Sequence, residues 1–109
     1  MKLSFWTSGS GRLSPVLEFI LNLPPTHGKR VSKDIDHLKE QGLGLLSSSK
    51  LKPLSPSDKL YELKTRIDGV TYRVIFIISG GEAMAVHALN KKSKKVPIDD
   101  IKLAKARCK

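Results

Sequence analysis

The chain of 109 residues has a single cysteine, Cys108, so no disulfide can form within it. Its cysteine and histidine residues also lack the spacing of a metal site, and we expect neither a metal nor another cofactor. The longest unbroken apolar run covers only residues 74–78. A membrane-spanning helix needs ~20 such residues, and the N-terminus lacks the apolar stretch of a signal peptide. We therefore expect a cytoplasmic protein that makes no membrane contact.

Acidic side chains are also scarce, since 10 of them stand against 20 lysines and arginines and leave a net charge of +10. The excess is concentrated in residues 59–109, which carry 12 basic and 5 acidic side chains. Such a density of positive charge attracts phosphates over long distances. We expect this half to bind a polyanion, with RNA as the leading candidate and a merely soluble basic surface as the alternative. The length suits one domain, residues 1–109.

The first half of the chain predicts a helical hairpin. Ser14 followed by Pro15 is typical of a helix start, and a double proline after residue 23 ends that helix. Thr26 is the expected N-cap of a second helix. The apolar stripe of this helix and the glycines that end it are Val31, Ile35, Leu38, Gly42 and Gly44.

From residue 59 the hydrophobic period changes from helical spacing to two, which predicts an antiparallel meander. Its strands are residues 59–66, 70–79 and 82–89, with turns at Asp68-Gly69 and Gly80-Gly81. Short strands are also expected at residues 3–6 and, inside a loop, around 51–54. Pro97 opens a final helix whose inward residues are Ile98, Ile101 and Ala104.

This order of elements predicts an α+β fold. The N-terminal helical hairpin packs on a sheet of three or four antiparallel strands, and a C-terminal helix follows. We expect the helices to cover one face of the sheet and to leave the other face open.

Strand alternation isolates several charges on the sheet. Glu62, Lys64 and Arg66 share one side of the first hairpin strand, and we expect that side to lie outside the core. Arg73 is a lone charge inside an apolar strand, and a buried guanidinium needs a counter-charge or a water-filled site. Two interpretations remain open together: Arg73 pairs with a carboxylate such as Glu62, or it binds phosphate through its rigid donor fork.

The densest charge cluster lies between the last strand and the final helix, and we expect it to contact an RNA backbone. Its members are Lys91, Lys92, Lys94 and Lys95. His87, in the third hairpin strand, either has a structural role or transfers a proton. Basic residues suffice for RNA cleavage without a metal, because the 2′-hydroxyl of RNA is a built-in nucleophile.

Four segments together resemble the phage-derived Gp49-like family, also called HigB-like, of the RelE/ParE toxin superfamily. They are LYELK at 60–64, YRVIF at 72–76, HALNKKSKKVP at 87–97 and IDDIKLA at 98–104. The resemblance implies a RelE-like fold and the toxin half of a type II toxin–antitoxin pair, which cleaves mRNA on the ribosome. It also implies a small helix-turn-helix antitoxin that binds the toxin in a hetero-oligomer.

The resemblance further implies roles for individual residues. Arg73 would stabilise the transition state, Lys64 with the Lys91-Lys92 pair would hold phosphates, and a lysine or His87 would move the proton. The catalytic set is thus Arg73, Lys64, His87 and Lys92, and the RNA-binding set is Arg66, Lys91, Lys94 and Lys95.

This sequence departs from the family pattern at three positions. Lys64 stands where arginine is usual, Leu89 replaces an aromatic residue, and Val96 replaces a threonine that would cap the last helix. These departures bear on the activity and not on the fold. Two alternatives to mRNA cleavage stay open. One is a non-catalytic inhibitor that binds DNA gyrase as ParE-like toxins do, and the other is an inactive prophage-derived module that binds RNA or protein.

Overall fold

The structure is a computed structural model, and it describes residues 1–9, 11–90 and 96–107. The chain forms an α+β fold with a five-stranded sheet in the order β1-β5-β4-β3-β2. β1 runs parallel to β5, and the other neighbouring strands are antiparallel. The elements are β1 (Lys2–Phe5), α1 (Pro15–Leu21), α2 (Pro25–Gln41), a 3₁₀ helix (Gly42–Ser47), β2 (Leu51–Ser55), a 3₁₀ turn (Pro56–Asp58), β3 (Leu60–Ile67), β4 (Val70–Ser79), β5 (Glu82–Leu89) and α3 (Ile98–Arg107).

The prediction of three or four antiparallel strands is wrong, because the N-terminal strand joins the sheet. Leu3 and Phe5 of β1 pack against the core, and this packing places the strand beside β5. The expected edge strand around residues 51–54 is confirmed as β2. No helix among the described residues is long and apolar enough to cross a membrane.

The start of α1 is the one that the sequence predicts. The Ser14 hydroxyl accepts hydrogen bonds from the backbone N–H groups of Val16 and Leu17, at 3.2 and 3.4 Å. The predicted Thr26 cap is wrong, since α2 already begins at Pro25 with Pro24 as its N-cap. Proline suits the first helical position because its ring fixes φ and it has no N–H group to leave unsatisfied.

One face of the sheet packs against α1 and α2. The two helices approach closely at Gly28. A Cβ atom at this position would lie only 3.0 Å from the Ile20 carbonyl oxygen, so the glycine permits the approach. Each fully buried aliphatic or aromatic side chain contributes roughly 1.5–3 kcal/mol to folding. The core on this face includes Val16, Val31, Ile35, Leu38, Leu63, Tyr72, Val74 and Phe76.

The opposite face is also covered, by α3, so the expectation of one open face is wrong. Alternate side chains of β3, β4 and β5 are apolar on this side and need a cover of their own. Ala104 of α3 is fully buried there and Ile101 packs at its margin, but Ile98 is 70% exposed, contrary to its predicted inward position. This second cluster comprises Leu60, Ile75, Val86, Leu89, Val96 and Ala104, with Trp6 packed against it.

Two tight turns fix the register of the meander. Asp68 and Gly69 have φ values of 52° and 76°, and Gly80 and Gly81 have 57° and 77°. Positive φ at both central residues is the geometry of two-residue hairpin turns, which confirms both predicted turns. The resulting register sets Lys64 directly opposite Arg73.

Candidate nucleic-acid interface

Two rows of cross-strand neighbours assemble a charged surface on the α3 side of the sheet. In one row Lys64 lies opposite Arg73. In the next row Glu62 lies opposite Ile75, and Ile75 lies opposite His87. Directly opposite residues have Cβ atoms about 5 Å apart, so these side chains are neighbours. We call Lys52, Glu62, Lys64, Arg66 and Arg73 the basic face.

Arg73 is held in a buried ion pair. Its Nη1 atom donates to both carboxylate oxygens of Glu62, each at 3.0 Å, and the two side chains are 6% and 4% exposed. This confirms the predicted pairing with a carboxylate. The expectation that Glu62 lies outside the core is wrong, because the buried guanidinium needs its negative charge close by.

Lys64 is half-buried beside this ion pair, and its pKa is lowered. Burial lowers the pKa of Lys64, and the neighbouring Lys52 lowers it further. Glu62 acts in the opposite direction on this pKa, while Arg73 lowers it slightly. A lysine that releases its proton more easily can act as a base as well as a phosphate ligand.

His87 lies on the same face and is tied to α3. Its Nε2 atom is 2.6 Å from an Asp100 carboxylate oxygen. A carboxylate only accepts, so Nε2 carries the hydrogen and Nδ1 is the proton acceptor of the neutral ring. A one-residue register shift between β4 and β5 points both Val86 and His87 toward α3. A structural role of His87 therefore has a defined partner residue, Asp100.

The other predicted RNA-binding residues are Arg66 and the lysines of the loop after β5. Arg66 is exposed and lies opposite Thr71, near the turn end of the basic face. The four predicted lysines of the loop lie outside the described residues. They follow β5, whose last residue, Leu89, is opposite Arg73. The four are Lys91, Lys92, Lys94 and Lys95.

Contacts of α3 limit how much of the sheet stays accessible. Arg107 stacks 4.7 Å over the Trp6 ring and donates to the Val86 carbonyl at 2.8 Å. Lys105 forms a 3.0 Å ion pair with Asp58, just before β3. These contacts lie toward the start of β3, whereas Lys64 and Arg66 lie toward its end. Within the basic face, Lys52 and Arg66 are exposed and Lys64 is half-buried, whereas Glu62 and Arg73 are buried.

Two residues that depart from the family pattern, Leu89 and Val96, are part of the apolar core. Leu89 is buried opposite Arg73, and Val96 is buried in the same apolar cluster. Both positions support the packing under α3.

A groove of about 650 Å³ lies elsewhere, along β1 and the turn between β4 and β5. Its lining includes Met1, Leu3, Ile77 and Met84 and none of the predicted site residues. Among the described residues, no three His, Cys, Asp or Glu side chains cluster closely enough to hold a metal ion. The basic face itself offers two amines and two guanidinium groups beside one carboxylate.

Sequence reasoning did not identify Lys52. This residue lies opposite Glu62 on edge strand β2, on the same side of the sheet as Lys64. Its position in a segment rich in serine, proline and lysine gave no pairing register, and only the register shows which lysine faces the site.

No curated protein matches the chain. The model of the family described as phage derived protein Gp49-like (DUF891) matches residues 18–109, which include every residue of the basic face. The predicted resemblance is confirmed: the chain belongs to the Gp49-like family of phage-derived proteins, a RelE/HigB-like toxin family.

Proposed function

We propose that the protein is the toxin of a type II toxin–antitoxin pair, with a RelE-like fold, and that it cleaves mRNA on the ribosome. The observation that carries this proposal is that Lys64 lies directly opposite Arg73, with the exposed Arg66 on the same side of β3. Membership of the Gp49-like family supports it independently. The expected partners are the ribosome, its mRNA, and a helix-turn-helix antitoxin that forms a hetero-oligomer with the toxin.

The cleavage reaction needs only groups that this chain offers. The 2′-oxygen of the RNA forms a bond to the adjacent phosphorus, and the bond from phosphorus to the 5′-oxygen breaks. Lys64 accepts the 2′-hydroxyl proton, and Arg73 neutralises the charge that grows on the phosphoryl oxygens. The leaving 5′-oxygen takes a proton, for which His87 and the lysines of residues 91–95 are the two candidates. Arg66 and the same lysines would hold the RNA backbone.

A second candidate function follows from the ion pairs of the site. Glu62 binds the Arg73 guanidinium and Asp100 binds His87, so both predicted catalytic groups already have carboxylate partners. Such neutralisation favours a module that binds without cutting: a gyrase inhibitor or an inactive RNA- or protein-binding remnant.

Expression in cells that lack an antitoxin tests the leading proposal. The wild type should arrest growth and yield mRNA fragments with new 5′ ends, which primer extension detects. Arg73→Lys retains a charge for Glu62 but loses the planar donor fork, so it should strongly weaken both effects without unfolding the protein. Lys33→Gln, on the exposed side of α2, removes one charge from the opposite face and should remain toxic. Inhibited DNA supercoiling with intact mRNA would select the gyrase inhibitor.

A further inference from the structure

The two edges of the sheet differ in how they are protected against further strand pairing. At the β2 edge, Lys64 donates its backbone N–H to the Lys50 carbonyl, so the next outward-pointing residues include Pro53. A proline at an outward position has no N–H group to offer to another strand. A register shift between Pro53 and Ser55 distorts the same edge. The β1 edge has neither a proline nor a register shift.

β1 offers a full set of backbone groups for pairing. The N–H groups of Lys2 and Trp6 bond to carbonyl oxygens of β5 and of the turn before it, at 3.1 and 2.8 Å, so both residues face β5. Consecutive residues of a strand point their N–H and C=O groups to opposite sides, so those of Leu3 and Phe5 point away from β5. Among the described residues no strand lies on that side, because β1 is the outermost strand.

The surface beside this edge is largely apolar and carries little net charge. The groove of about 650 Å³ runs along β1, and its lining includes the half-buried Ile77 and Met84. The charged residues of the lining are Lys2, Lys39 and Glu82, which sum to +1, and Lys2 lies directly opposite Glu82. The whole chain carries +10, so most of its positive excess lies elsewhere. Two copies can therefore approach each other here at a lower electrostatic cost than through the basic face.

We propose that β1 is a self-association surface, at which two copies of the chain pair their β1 strands antiparallel. The register that engages all the outward groups within the strand pairs Leu3 of each copy with Phe5 of the other. Ser4 then lies opposite Ser4 on the two-fold axis, and Lys2 lies opposite Trp6. No lysine faces a lysine, and the small serine side chains permit the close approach of the strands. Leu3 and Phe5, both half-buried in one copy, cover each other across the pair.

This self-association goes beyond the proposed function and leaves its site free. The basic face lies on β2, β3 and β4, and β5 separates these strands from β1. The two-fold axis between antiparallel strands is perpendicular to the sheet, so both copies present their α3 sides in the same direction. The dimer therefore carries two basic faces on one side.

Cysteine cross-linking tests the register. Opposite residues of a non-hydrogen-bonded antiparallel pair have Cα atoms about 4.5 Å apart, within the range of a disulfide. Ser4→Cys, in a chain that also carries Cys108→Ser, should therefore form a covalent dimer on mild oxidation. Lys2→Cys in the same background should not, because the two copies of residue 2 lie about 13 Å apart along the strands in this register. Equal cross-linking of both variants would indicate random collisions and overturn the inference.

Sedimentation of the wild type, before and after nuclease treatment, measures the association without any substitution. We expect a monomer–dimer equilibrium that added salt strengthens, because salt screens the repulsion between two chains of charge +10. Ser4→Lys sets two lysines opposite each other and should raise the dissociation constant about 5-fold. Thr26→Lys adds the same charge at the exposed start of α2 and should change it far less.

Three results would overturn the inference. The first is a wild type that stays monomeric at every concentration. The second is a dimer that nuclease treatment removes, since RNA would then bridge two basic faces. The third is a monomeric wild type whose binding to a co-expressed antitoxin is weakened by Ser4→Lys, which would assign the β1 edge to that partner. None of these results depends on whether the protein cleaves mRNA.

Discussion

Substituting either partner of the buried Glu62–Arg73 ion pair should strongly destabilise the protein. The two side chains are 4% and 6% exposed, with two N–O distances of 3.0 Å. At an effective dielectric constant of 20, opposite charges about 4 Å apart attract by roughly 4 kcal/mol. Removing one partner also leaves the other charge buried, so Arg73→Met or Glu62→Leu should each cost about 3–5 kcal/mol. Replacing both by apolar residues should cost far less than the two single changes combined.

Urea unfolding of the wild type, both single variants and the double variant measures this coupling. We expect a coupling free energy of at least about 3 kcal/mol, with a similar m-value in all four proteins. Single variants that each cost less than about 1 kcal/mol, or costs that simply add, would refute the reasoning. The result also matters for function, because the double variant Glu62→Leu/Arg73→Met should fold while lacking the guanidinium.

Three further outcomes follow from other contacts. Tyr72→Phe removes the 2.6 Å hydrogen bond to His27 and should lower the free energy of unfolding by about 1 kcal/mol, while mRNA cleavage is unchanged; calorimetry and a cleavage assay check this. Asp34→Ala deprives the Thr65 hydroxyl of its buried acceptor at 2.7 Å and should cost about 2–3 kcal/mol in urea unfolding. Because the pKa of Lys64 is lowered on folding, the unfolded chain binds that proton more tightly, so stability should rise with pH from the lowered value up to 10.5. Unfolding at several pH values should show that Lys64→Met lacks this contribution.

Local signals predicted much of the fold. The start of α1 follows from Ser14 and Pro15, and the two hairpin turns follow from residue pairs that tolerate positive φ. The buried stripe of α2 follows from helical spacing. These features depend on residues close in sequence, so they can be read without knowledge of the tertiary structure.

Features that depend on contacts between residues far apart in the sequence were not predicted. The place of β1 beside β5 depends on a partner about 80 residues away, and the cover by α3 depends on apolar residues spread over three strands. For the same reason, alternation predicted the pairing of Arg73 with a carboxylate but not the burial of Glu62. Lys52 was not predicted because only the register of β2 on β3 places it opposite Glu62, on the same side as Lys64.

Cleavage of mRNA on purified ribosomes tests the central claim most directly. Ribosomes stalled on a defined mRNA are incubated with the wild type, with Arg73→Lys and with the folded double variant Glu62→Leu/Arg73→Met, and the 5′ ends are mapped. The wild type should cut the mRNA. Arg73→Lys should be slower by about 10²–10³-fold, as expected for loss of a donor to the transition state, and the double variant should not cut. Intact mRNA with the wild type, or cleavage at the wild-type rate by the double variant, would contradict the account.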